Sequence, residues 1–254
     1  MNPNPYPGKL IVFEGLDGSG QTTQAQLLAK WFVEKRNQLA YYTKEPTDGP
    51  VGALLKLSLS DRLVSAKPEK KHEPLDSITM ALLFASDRHD HLNNDVIPKL
   101  KSGIHVIADR YYLSSLAYQS VGGDYGWIKE INKHAIRPDL TVFLDAPPAV
   151  CVKRMQAQRW HVELYEDLTT LEAVQQNFIF AIARLRGEGE RIETLDANQP
   201  AKDVHKIVVQ MTKNFLKSAL DPSRFRPQER EQQLGLLMET AALSEAEIAG
   251  HQEG

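Results

Sequence analysis

The sequence predicts an α/β fold, a five-stranded parallel sheet with helices on both faces. Three observations predict it. Short apolar runs alternate with longer helical patterns along the chain, as in a parallel sheet whose strands are buried on both sides. Gly15-Leu16-Asp17-Gly18-Ser19-Gly20-Gln21-Thr22 follows one apolar run and opens onto a helical one, the setting of a phosphate-binding loop. Asp109-Arg110-Tyr111 closes a further apolar run, at the strand ends where ligands of open parallel sheets gather.

The expected strands are Lys9 to Glu14, Ala40 to Lys44, His105 to Asp109, Leu140 to Asp145 and Arg191 to Leu195. Between the first two, Ala25, Leu28, Ala29 and Phe32 recur at i, i+3, i+4 and i+7, the stripe of a helix buried on one face. A long helix is expected from Leu75 to Leu92, stopping before Pro98, and another from Leu168 to Leu185 with Gly187 as its C-cap. The stretch from Lys67 to Pro74 is charged and bracketed by prolines, and reads as a solvated loop. The domain is expected to run over residues 1 to 217. Residues 218 to 254 read as a helical tail, with Pro227 opening one helix and Ser244 with Glu247 at capping-box spacing for a second.

The glycine loop carries the first chemistry. Glycines let backbone N–H groups close around phosphate oxygens, and the following helix N-terminus adds favourable partial charge. Thr22 supplies a hydroxyl for Mg²⁺. At position 21, where the motif has lysine, the chain has glutamine, whose amide can donate to a phosphate but carries no charge. Losing, without compensation, a unit positive charge about 4 Å from a phosphate oxygen forfeits roughly 4 kcal/mol at an effective dielectric near 20, before desolvation is subtracted. Each ~1.4 kcal/mol lost in the transition state slows turnover about tenfold.

Asp109 is suited to hold Mg²⁺ or steady an attacking oxygen, and Arg110 can fork onto a phosphate. A local ion pair is the alternative, outweighed by the glycine loop nearby. Lys44, before Glu45-Pro46, reads equally as a phosphate ligand or a solvated strand-end lysine. Phe84 and Arg88 are four apart and share a helix face. An aromatic plate beside a guanidinium suits a nucleobase; a core phenylalanine beside a surface cation is the plainer reading. Ser115 and Gln119, also four apart, either hydrogen-bond a base edge or serve a helix surface.

The composition narrows the class. A net charge of −3 implies no broad cationic surface for nucleic acid. No apolar run is long enough to span a bilayer, and the start has no signal-peptide character. A single cysteine, Cys151, excludes an internal disulfide, fits a cytoplasmic setting and reads as a small core residue.

Together these segments resemble the thymidylate kinase family. The resemblance runs through Phe13 to Gly20, Glu45-Pro46, Leu83 to Arg88, Asp109 to Gln119 and Arg137 to Asp145, in family order over most of residues 9 to 210. It implies the fold of a P-loop nucleoside monophosphate kinase, transfer of the ATP γ-phosphoryl group to dTMP, Mg²⁺ as cofactor and a homodimer. Asp17, Asp109, Arg110 and Arg159 would be catalytic. Gly15, Gly18, Ser19, Gly20, Gln21, Thr22, Thr23 and Arg154 would bind the donor phosphates. Asp17, Lys44, Phe84, Arg88, Arg110, Ser115 and Gln119 would bind dTMP, with Thr22 and Asp109 on the metal. A basic lid is implied over Lys153 to Glu166.

Three departures remove or blunt a positive group near phosphate: Gln21 for lysine, Lys44 for an arginine that could fork bidentately, and Leu164 for arginine in the lid. Arg154 and Arg159 in the lid are the available substitutes. An active, slower kinase is therefore expected. The alternatives are a catalytically impaired nucleotide-binding paralogue acting through a partner, or a kinase of the same fold with another deoxynucleotide acceptor.

Overall fold

The computed structural model describes residues 1–67, 70–73, 75–158 and 167–219. The chain divides into two compact units, residues 1–210 and 211–254. The tail helices expected after Pro227 and Ser244 lie outside the described residues.

In chain order the strands are β1 (Asn2–Pro3), β2 (Leu10–Gly15), β3 (Ala40–Lys44), β4 (Ser65–Lys67), β5 (Lys70–Glu73), β6 (His105–Asp109), β7 (Ile136–Arg137), β8 (Leu140–Asp145) and β9 (Ile192–Asp196). The helices are α1 (Gln21–Arg36), α2 (Pro50–Leu59), α3 (Ser77–His91), α4 (Ile97–Lys101), α5 (Tyr112–Tyr118), α6 (Tyr125–Ile131), α7 (Pro148–Gln158), α8 (Leu168–Gly187) and α9 (Ala201–Ala219). The main sheet has five parallel strands in the order β3-β6-β2-β8-β9. Its strands lie within a residue of the expected bounds.

The central strand β2 is buried at every position, as a strand covered on both faces must be. The chain leaves β2 toward β3 on one side and later fills the other side with β8 and β9. The strand order reverses at β2, so a crevice opens outside its carboxyl end. The register sets Asp109 beside Phe13 on one flank and beside Lys44 on the other. Three chemistry-bearing strand ends thus share one rim.

Helix α1 buries Ala25, Leu28, Ala29 and Phe32 against the sheet, the expected stripe. On the opposite side α8 buries Leu171, Val174, Phe178, Ala181, Ile182 and Leu185. Phe178 packs against Phe143 of β8 and meets Tyr118 of α5 edge-on, with centroids 5.0 and 6.0 Å apart. Cys151 is buried on α7, and burial pushes its thiol up to about 11. It is a core residue.

Three local expectations are corrected. The helix from Ser77 does not stop before Pro98. A π-turn over Leu92–Val96 carries it into α4, with the N–H of Ile97 bonded to the Leu92 carbonyl. Pro98 then sits in the first turn of a new helix, where its missing N–H costs little. Gly187 lies inside α8, and the left-handed residue is Gly189, at φ 86°. The charged stretch after Ser65 is not all loop, because β5 pairs antiparallel with β4.

Phe178→Ala removes a fully buried ring that connects the sheet to α5. It is expected to lower unfolding stability in urea by about 3–5 kcal/mol; a loss under 1 kcal/mol contradicts this packing account.

Candidate active site

The loop after β2 needs two glycines for different reasons. A Cβ on Gly15 would meet Ser19 Oγ at 2.6 Å and the Leu144 carbonyl at 2.7 Å. A Cβ on Gly18 would meet the Cys151 carbonyl at 2.6 Å, at φ 81°. Gly20, at φ 103°, hands over to α1 with no side-chain cap, leaving amide donors at the helix start for an anion. Ser19 is buried, whereas Thr22 and Thr23 are exposed at the mouth.

Thr22 Oγ1 donates to Asp109 Oδ2 at 2.5 Å, and Tyr42 donates to the same oxygen at 3.4 Å. Burial raises the Asp109 carboxyl above its ordinary range, with Arg110 and Thr22 pulling the other way. A hydroxyl and one carboxylate at a phosphate loop make the sparse oxygen set that Mg²⁺ accepts when substrate phosphates and water complete its shell. No cluster of three His, Cys, Asp or Glu suited to a metal occurs among the described residues.

Arg110 joins the loop to the neighbouring cavity. Its Nη2 donates to Asp17 Oδ1 at 2.7 Å and to Gln21 Oε1 at 3.3 Å, and its Nη1 to Ser114 Oγ at 3.3 Å. The guanidinium lies over the Tyr118 ring, 5.4 Å from its centroid, and Tyr118 donates to Asp17 Oδ2 at 2.9 Å. Burial opposes the Arg110 charge, but Asp17, Asp109 and Glu14 outweigh it and hold the group protonated above its ordinary range. The backbone at Arg110 is left-handed, with φ 71°, a conformation that costs a non-glycine residue about 1–3 kcal/mol and concentrates at functional sites.

Gln21 differs from expectation. Its amide donor does not face the loop's anion cradle: Nε2 donates to the Gly15 carbonyl at 2.8 Å, and the side chain is buried. Its other end accepts from Arg110. A lysine could donate to the Gly15 carbonyl but could not accept from Arg110, because an ammonium has no acceptor. Two unit charges about 4 Å apart also repel by roughly 4 kcal/mol at an effective dielectric near 20.

Beside the loop lies a cavity of about 330 Å³. Asp17, Lys44, Phe84, Arg88, Arg110, Ser115 and Gln119 all line it, although they come from four separate segments. Phe84 is half-buried and Lys44 exposed, 4.0 Å from Asp48. Arg88 is no surface cation: it is 2% exposed. Its Nε donates to Glu45 Oε2 at 2.9 Å, Nη2 to Ser115 Oγ at 3.1 Å and Nη1 to Asn132 Oδ1. The ring of Tyr111 flanks it, 5.4 Å from the centroid. Ser115 therefore buttresses Arg88 as well as facing the cavity. Gln119 is buried, and its Oε1 has no hydrogen-bond partner among the described residues.

On the other side of the loop, Arg154 of α7 donates to the Gly18 carbonyl at 3.4 Å and to the Ala197 carbonyl at 3.0 Å. It is tied to the loop rather than displayed as surface charge. Arg159 and Leu164, with the rest of 159–166 in the expected lid, lie outside the described residues.

The profile of the family described as "Thymidylate kinase" matches residues 13–208. The chain belongs to the thymidylate kinase family. Among similar proteins, one from Pyrococcus horikoshii, described as "Probable thymidylate kinase", is 35% identical over 210 residues, covering 82% of this chain and 98% of that one. Proteins with the same description from Thermococcus gammatolerans and Pyrobaculum calidifontis are 35% and 38% identical, covering 84% and 82% of this chain and 100% and 97% of theirs. Membership of the thymidylate kinase family makes this chain a phosphotransferase with the fold of a P-loop nucleoside monophosphate kinase.

Within this thymidylate kinase fold, residues that sequence reasoning passed over complete the site. Lys56 and Leu59 of α2 line the cavity with Ser114 and Tyr118, and Lys56 pairs with Asp48. A lysine three residues from a helix end carries no pattern that marks it; only the placement of α2 does. His91 supports Glu45 from behind at 3.2 Å and Thr43 at 2.7 Å. Asp87 holds the turn after Pro46 by accepting from Thr47 N and Oγ1 at 2.9 and 2.6 Å.

Glu14 lies under Arg110, wholly buried and accepting from both Ser114 N and Ser114 Oγ. Burial pushes its carboxyl up from 4.5 to about 8, against the Ser114 donors and the Arg110 charge. Between about pH 5 and 8 the unfolded chain has lost a proton that the folded chain keeps, so this group makes stability fall as pH rises. In Glu14→Gln the urea midpoint should fall less steeply over that window than in the wild type; parallel profiles contradict the assignment.

Proposed function

We propose that the chain transfers the γ-phosphoryl group of ATP to dTMP, giving ADP and dTDP. The observation that carries this reading is the junction at Arg110, where a glycine loop for the donor meets a cavity of monophosphate size. On this reading Gly15, Gly18, Ser19, Gly20, Thr22 and Thr23 cradle the donor phosphates, with Arg154 and Arg159 adding charge. Arg110 and Lys44 hold the acceptor phosphate, and Asp17 sits beside the sugar. Thr22 and Asp109 would hold Mg²⁺, which when bound neutralises charge on the phosphoryl oxygens.

Phe84 offers the face for the thymine ring. The free acceptor at Gln119 Oε1 suits the N3–H donor of thymine, and the remaining N–H on Arg88 Nη1 suits its carbonyl O4. Cytosine presents an acceptor at N3 and a donor at N4, so each contact would fail. A buried donor or acceptor left unpaired costs about 1–3 kcal/mol.

Because phosphoryl transfer depends on positioning and summed charge, a neutral residue at 21 is compatible with turnover. The protein is proposed to act in dTTP biosynthesis in the cytoplasm, without nucleic acid or membrane; no helix among the described residues is long and apolar enough to cross a membrane. A homodimer is supported by exposed Leu54 and Leu57 on α2 and Ile78 and Leu82 on α3, which have solvent where a second copy would bury them.

Coupled ADP release with Mg²⁺·ATP and a panel of monophosphates tests the reading. dTMP should give the highest kcat/KM, at least about tenfold above dCMP. Arg110→Ala should lower it by about 10²–10³. No ADP with any acceptor, while dTMP still binds in calorimetry, would favour the impaired nucleotide-binding paralogue instead.

A further inference from the structure

Resting on that reading, we propose that Gln21 is a positioning residue for Arg110, and that Arg110 supplies the positive charge that the loop motif otherwise takes from lysine. Both ends of the Gln21 amide are identified by their partners. Only a donor can face the Gly15 carbonyl, at 2.8 Å, and only an acceptor can face Arg110 Nη2, at 3.3 Å. The side chain is 5% exposed, its bond to Gly15 is buried and its bond to Arg110 part-buried, and the two together define one orientation. It closes the glycine loop at its first residue and reaches across to the strand end of β6 from the start of α1.

The consequence is geometric. Arg110 Nη2 is shared between Asp17, inside the loop, and Gln21, at the base of the helix whose N-terminus faces the donor phosphates. A guanidinium held on both sides lies at the boundary between the donor cradle and the acceptor cavity, which Arg110 also lines. One cation can then face both phosphates without a second positive charge beside it. Restoring lysine would remove the acceptor and add a like charge next to Arg110. It should therefore impair this chain rather than improve it.

The test compares Gln21→Met, Gln21→Glu and Gln21→Lys in the full chain. The readouts are the dTMP dissociation constant without ATP, by calorimetry, and kcat and KM for each substrate. Gln21→Met, of similar volume, should weaken dTMP binding about tenfold and lower kcat as well, since the cation it holds serves both phosphates and a hydrogen bond to a charged group carries that order of effect. Gln21→Glu keeps an acceptor toward Arg110 but sets a carboxylate oxygen against the Gly15 carbonyl, so it should also bind dTMP more weakly than wild type. Gln21→Lys should bind dTMP more weakly than wild type and turn over more slowly. Combined with Arg110→Lys, Gln21→Met should add less than its separate effect.

Faster turnover in Gln21→Lys at undiminished dTMP affinity would overturn the proposal. So would a rise in the KM for ATP with unchanged dTMP affinity in both Gln21→Met and Gln21→Glu. Failure of the wild-type protein to bind dTMP would end the proposed function itself, whereas those two patterns end only the role given to Gln21.

Discussion

One buried-to-surface charge contact organises this site: the Arg110 guanidinium against Asp17, 2.7 Å apart. Asp17 belongs to the glycine loop and Arg110 to the end of a different strand. Their pairing fastens the glycine loop to the neighbouring cavity, which both residues line. Ser114 accepts from the same arginine and in turn donates to Glu14, which feels its charge, and Tyr118 covers it. Removing the guanidinium would leave nearby carboxylates uncompensated in a half-buried setting, and a buried charge without its partner is far more costly than a pair is favourable. The left-handed backbone at Arg110 is tolerated because the surroundings over-determine it: its N–H donates to the Phe13 carbonyl at 2.9 Å while its side chain is held at three points.

The sheet makes that pairing possible. Parallel strands bring all their carboxyl ends to one edge, and the reversal of order at β2 leaves a gap there. The loop after β2 fills the gap, while β6 and β3 supply Asp109, Arg110 and Lys44 along its rim. Helices α3 and α5 then close the cavity with Phe84, Arg88 and Ser115, and with Gln119 just past the end of α5. Glu45 joins the lining, and behind it Asn132, Asp87 and His91 fix the orientation of the groups that face inward. Precision at a phosphoryl-transfer site comes from such support, since positioning supplies most of what the protein contributes.

Much of this was legible in the chain. Strands such as Leu10–Gly15 are apolar runs because both faces are covered, so their bounds follow from composition. Phosphate chemistry was legible where glycine spacing and strand-end acids stand together. What escaped was decided by distant partners. Arg88 is buried because Glu45 and Asn132, far away in sequence, satisfy it; nothing within α3 announces that. The π-turn before Pro98 is a compromise between a proline and a helix that had more face to bury. Lys56 reaches the cavity only through the placement of α2. The orientation of Gln21 was the least legible: its residue type fits a phosphate donor equally well, and only the carbonyl of Gly15 and the guanidinium of Arg110 decide otherwise.

The neutral residue in the loop therefore does not leave the site without positive charge. Arg110 lies at the boundary and Arg154 against the loop's outer side. The most direct measurement is a crystal structure with an analogue joining adenosine and deoxythymidine through their phosphates. The account predicts the Arg110 guanidinium within hydrogen-bond distance of the acceptor phosphate while still donating to Gln21 Oε1. An Arg110 turned out of the junction, with the Gln21 amide on a phosphate oxygen, would contradict it.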